Sequence, residues 1–80
     1  MDLMTAVRNR ILQLAYDNHI SINKMAETSG LPPSSLKNIL YGKSNNPTLL
    51  TIKILCDGLD ITLAEFFDTQ EFNELEQEIK

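Results

Sequence analysis

Apolar residues along this chain recur at spacings of three and four and nowhere alternate with polar ones as a strand requires. The first stretch sets Val7, Ile11 and Leu14 on one face and predicts a helix over about 5–18, with Thr5 as N-cap and Asn18-His19 at its end. Ser21 can cap a second, short helix over about 22–29, whose inner face is Ile22, Met25 and Ala26. Gly30 stops it, as a residue free to take positive φ. Pro32-Pro33 sets the start of a third helix: a proline pushes the residue before it out of the α region, so Pro32 should be extended and Pro33 the first helical residue. That helix runs to about Tyr41, with Leu36, Ile39 and Leu40 inward and Gly42 closing it. Beyond the polar loop Lys43-Ser44-Asn45-Asn46-Pro47, Thr48 caps a fourth helix over about 49–57, with Leu49, Ile52, Leu55 and Cys56 inward. Thr62 and Glu65 have the spacing of a capping box and open a short fifth helix over 63–67. Asp68 and Glu71 repeat it, with Phe67 and Phe72 at the staple positions, and predict a sixth helix over about 69–79 that carries Phe72, Leu75 and Ile79 on one stripe.

The fold expected is therefore all-α, with five compact helices in residues 1–68 and a short acidic amphipathic helix in 69–80. Eighty residues at 42% apolar composition suit one domain with one small core. No apolar run reaches the length of a membrane span, and Met1-Asp2-Leu3-Met4 lacks the basic and long apolar regions of a signal peptide. A single cysteine, Cys56, rules out an internal disulfide framework, fits a reducing cytoplasm and reads as a small buried hydrophobe. One cysteine and one histidine, His19, cannot build a zinc site within one chain, and no cofactor is implied. Nothing pairs a base with a nucleophile: Asp60, Glu65 and Asp68 read as cap and surface acids, so no enzyme is expected.

The segment from Ile22 to Ile39 carries the functional signal. Two short helices that cross steeply need a small residue at the contact, which is Ala26, and a turn that tolerates positive φ, which is Gly30. Leu31, Leu36 and Ile39 can then point into the core and leave the opposite face of the third helix free. This is the spacing of a helix-turn-helix, whose second helix enters the major groove of DNA. The net charge of −4 opposes phosphate binding until its distribution is considered. Residues 1–56 hold six basic and three acidic side chains, whereas residues 57–80 hold eight acidic and one basic. The acid is segregated in the last third.

To about Phe67 the chain resembles the Cro and lambda-repressor-like (phage-repressor type, xenobiotic-response-element) helix-turn-helix regulators. The residues that carry the resemblance are Ser21-Ile22-Asn23-Lys24-Met25-Ala26, Gly30-Leu31, Leu36 and Ile39, Gly42-Lys43, Asn46-Pro47-Thr48-Leu49 and Leu59 through Phe67. The resemblance implies a five-helix DNA-binding domain, usually a two-fold dimer, that acts on transcription, here as a repressor. It also implies that Pro33, Ser34, Lys37 and Asn38 face base edges. Asn38 can pair bidentately with adenine, Lys37 can donate to guanine, and Ser34 can serve either. Lys43, Ser44 and Asn45 match a phosphate-touching loop, and Ser21 and Asn23 stand at a helix start that favours phosphate. Ile22 stands where the family commonly has a phosphate-clamping glutamine. Ala15 and Leu40 stand where relatives often bury an arginine–glutamate pair, and losing both partners together is benign.

Two questions stay open at this stage. A domain of the same fold can serve chiefly as a protein-interaction module, as antitoxins of this family do while also binding their own operators, and the acidic tail from Glu71 to Lys80 would suit that. The stripe of Phe72, Leu75 and Ile79 can pack back on Phe66 or Phe67, or pair across a two-fold axis as a dimerisation surface with Glu71, Glu74 and Glu78 held away from DNA. The second arrangement would demand a near-palindromic operator on double-stranded DNA.

Overall fold

A computed structural model describes residues 1–42 and 46–79. Among the described residues the chain forms six helices and no strand: α1 (Leu3–Asp17), α2 (Ile22–Ser29), α3 (Pro33–Tyr41), α4 (Leu49–Gly58), α5 (Leu63–Phe67) and α6 (Gln70–Asn73). The core runs through all of the first five, from Val7, Ile11 and Leu14 on α1 through Met25 and Ala26 on α2, Leu36 and Ile39 on α3, and Ile52, Leu55 and Cys56 on α4 to Phe66 on α5. Burial also pushes the Cys56 thiol above its usual pKa, as suits a packing role.

Capping explains most helix boundaries. Ser21 accepts from the Lys24 amide, Thr48 from that of Thr51, and Thr62 and Glu65 form the reciprocal box at the start of α5. The start of α1 differs from the expectation: its cap is Asp2, whose Oδ1 accepts from the Thr5 amide at 2.9 Å. A carboxylate at a helix N-terminus satisfies an orphan N–H and the helix dipole together, and the Thr5 contact holds its pKa below the usual range.

Three helices end alike. His19, Gly30 and Asp60 take φ of 55°, 72° and 58°, and the next amides, of Ile20, Leu31 and Ile61, return to the carbonyls of Ala15, Ala26 and Cys56 at 3.1, 2.9 and 3.0 Å. Each ending is a Schellman-type turn that drops an apolar residue onto the core.

Between α2 and α4 the backbones meet at Gly58, where a Cβ would collide with Ser29 Oγ and lie 2.9 Å from Ser29 Cα. Alanine for glycine in a helix ordinarily stabilises by about 1 kcal/mol. Gly58→Ala is expected to do the reverse and lower stability by about 1 kcal/mol, through overpacking. Urea unfolding checks the sign.

The sixth helix departs furthest from expectation. It spans four residues, not 69–79, and is capped by Thr69, whose Oγ1 accepts from the Phe72 amide, so the Asp68–Glu71 box does not form. A longer helix would stack Glu71, Glu74 and Glu78 along one face and crowd negative charge at its negative end. Instead the tail turns back to the start of α1. The Met1 α-amine lies 2.8 Å from the Glu76 carboxylate, which raises the amine's pKa, and the Glu76 amide donates to the Met1 carbonyl at 3.3 Å. Phe72 packs within the chain on Phe67 and Phe66, with ring centroids 4.9 and 6.1 Å away. Leu75 is half-buried and Ile79 is exposed, so the three share no helical stripe.

Candidate nucleic-acid interface

The two helices of the bihelix pack against each other, and Ala26 of α2 is fully buried, as are Met25 beside it and Leu36 on α3. Pro32 is extended, with ψ of 135°, and Pro33 begins α3. With Leu36, Ile39 and Leu40 buried, α3 turns Pro33, Ser34, Lys37 and Asn38 to solvent, all four exposed. Ser34, Lys37 and Asn38 lie at i, i+3 and i+4 and so form one polar stripe. The same spacing extends it to Tyr41, which is 69% exposed at the last turn of α3. Tyr41 is not among the residues expected to face bases, although its position seven residues after Ser34 is a visible signal.

Ser21 and Asn23 are both exposed at the start of α2, and the Ser21 hydroxyl is engaged as the N-cap at 3.0 Å from the Lys24 amide. Lys43, Ser44 and Asn45 lie outside the described residues. At the start of α4, Leu49 was expected to face inward and does not: it is 62% exposed, and Leu50 is 67% exposed. The core position of this turn goes to Ile52 instead.

Two arginines counted with the basic two-thirds of the chain serve the scaffold. Arg8 Nε donates to the Ile39 carbonyl at 2.9 Å, tying α1 to α3. Arg10 donates to the carbonyls of Phe66 and Glu65 at 2.7 and 2.8 Å, with its guanidinium 5.9 Å from the centre of the Phe66 ring. Guanidinium groups at helix C-terminal carbonyls complement the dipole. Ala15 and Leu40 are both buried, so packing replaces any ion pair there, and Arg8 supplies another link between α1 and α3.

A family model of the Cro/C1-type HTH DNA-binding domain matches residues 10–71, which contain the whole bihelix and α4 and α5. The chain belongs to this family. The solved structure entitled "Crystal structure of the prophage Lp1 protein 11" is similar to it at a TM-score of 0.80 and 30% identity, covering 94% of this chain and 100% of the other. No curated protein matches the chain. As a Cro/C1-type domain the protein is a DNA-binding transcription regulator, and its partner is DNA. Among the described residues no helix is long and apolar enough to cross a membrane.

Proposed function

We propose that the protein is a sequence-specific transcriptional repressor that lays α3 in the major groove and reads bases with Ser34, Lys37 and Asn38, with Pro33 at the point of entry. The observation that carries this reading is the exposed polar stripe on α3, held opposite three buried residues of the same helix. Tyr41 lies about 10 Å along the axis from Ser34, beyond the N-terminal residues that reach base edges in such docking, where a phenol suits the phosphate backbone. Ser21, Asn23 and the Lys43-Ser44-Asn45 segment contact phosphate on either side.

The repressor acts as a homodimer on a near-palindromic operator. A nine-residue helix reads only a few base pairs, and one copy brings few cations to DNA. Two-fold pairing doubles both, with half-sites about one helical turn apart. Since Phe72 is occupied within the chain, the dimer surface need not involve the expected stripe.

Selecting bound sequences from a random duplex pool tests the reading. Enrichment of two inverted half-sites spaced about 10 base pairs apart supports it, and a pool without an enriched motif overturns it. Lys37→Ala and Asn38→Ala should each weaken operator binding by about 1–3 kcal/mol and relax preference at one base position, with unchanged thermal stability. Both variants selecting the same sequences as the parent, at the same affinity, would exclude α3 as the reader.

A further inference from the structure

The start of α3 is built unlike the other helix starts. The other five helices each open on an Asp, Ser or Thr whose side chain accepts a backbone amide, whereas Pro32 at the head of α3 provides no such cap. Neither Pro32 nor Pro33 has a backbone N–H, and the Ser35 amide is taken by the Pro32 carbonyl at 3.0 Å. Both proline rings are exposed. The leading end of the reading helix therefore presents mainly hydrocarbon where a helix start ordinarily presents donors. Pro33 is also in register with the polar stripe. It stands four residues before Lys37, as Ser34 stands before Asn38, so the two pairs run side by side along the exposed face.

The major groove displays one apolar substituent, the thymine C5-methyl, among hydrogen-bond donors and acceptors. A pyrrolidine ring laid against a donor or acceptor excludes water and supplies no partner, which costs free energy. Against the methyl, the same ring removes apolar surface from water on both sides. We infer that Pro33 selects a thymine in each operator half-site through its C5-methyl group, within about two base pairs of the position read by Lys37. This rests on the assignment of α3 to the major groove. The spacing follows from the helix, in which four residues rise about 6 Å while base pairs stack about 3.4 Å apart. The contact involves no charge, so its discrimination does not fade as salt rises, unlike the phosphate contacts.

The test replaces each thymine of the selected operator, one at a time, with deoxyuridine, which lacks only the methyl. Binding of the full-length parent and of Pro33→Ser is measured by fluorescence anisotropy at two salt concentrations. One replacement per half-site should weaken the parent by about three- to five-fold at both salts, the scale of one buried methyl. It should lie within about two base pairs of the position that Lys37→Ala relaxes, and Pro33→Ser should show no loss there. Pro33→Ser used in the selection should likewise relax the preference for thymine at that position alone. A parent indifferent to every replacement, or a Pro33→Ser variant that keeps the parent's methyl dependence, overturns the inference. Asn38→Ala run alongside separates the two readings. If it relaxes operator preference while no methyl matters, α3 remains the reader and only the thymine contact is lost.

Discussion

Phe66→Ala is expected to cost about 3–5 kcal/mol, the largest loss from any single truncation in this chain. Phe66 is 1% exposed and the largest of the fully buried side chains. Its ring meets Phe67 edge-on at 4.9 Å and Phe72 at 6.1 Å, and its backbone carbonyl receives Arg10 Nε. The substitution therefore empties the joint where α1, α5 and the start of the tail meet. Small domains have only about 5–15 kcal/mol of stability, and in one of this size each kcal/mol moves the Tm by about 4–8 °C. A fall of at least about 12 °C is expected in a thermal melt monitored by circular dichroism. A shift of under about 5 °C would mean that α5 contributes little to the core. Phe66→Leu keeps much of the volume and should fall between the variant and the parent.

What the sequence made legible, and what it did not, follows from how far each signal reaches. Gly30 was readable because a glycine after a short helical run takes a left-handed φ without strain; His19 and Asp60 adopt the same conformation but carry no such mark, and Asn18-His19 suggested only an ending. The inner faces of α2 and α3 followed from helical spacing and are buried as expected, which left the reading stripe by subtraction. Leu49 failed the same logic, because a leucine in the first turn of α4 is apolar without being on the core side. The scaffold roles of Arg8 and Arg10 were hidden for another reason. Their acceptors are carbonyls 31 and 56 residues away, and backbone acceptors leave no trace in side-chain composition. The tail departs from its apolar pattern because Phe72, Leu75 and Ile79 have helical spacing while the glutamates among them oppose a helix. The tail's outcome depends on the start of α1, 75 residues earlier in the chain, where the Met1 amine and the Leu3 amide provide partners for Glu76 and Glu78.

Ala26→Leu should abolish specific DNA binding while costing about 1–3 kcal/mol of stability, a disproportion that separates it from every core truncation. Ala26 has no exposed surface, and its carbonyl receives the Leu31 amide at 2.9 Å, so its backbone forms part of the turn that launches α3. Close packing leaves no room for three further heavy atoms between α2 and α3. The helices must separate or rotate, and α3 moves as a unit because its buried residues, Leu36, Ile39 and Leu40, are fixed to it. Interfaces built from bidentate base contacts do not tolerate that displacement: hydrogen bonds from Lys37 and Asn38 depend on donor–acceptor distances of about 2.7–3.2 Å. Non-specific attraction to the backbone survives, because it depends on charge more than on register. The expected pattern is a folded protein with a modestly lowered Tm, residual salt-sensitive binding to any duplex and no preference for the operator. A variant that keeps both the parent's Tm and its operator preference would mean that α2 and α3 do not cross at Ala26.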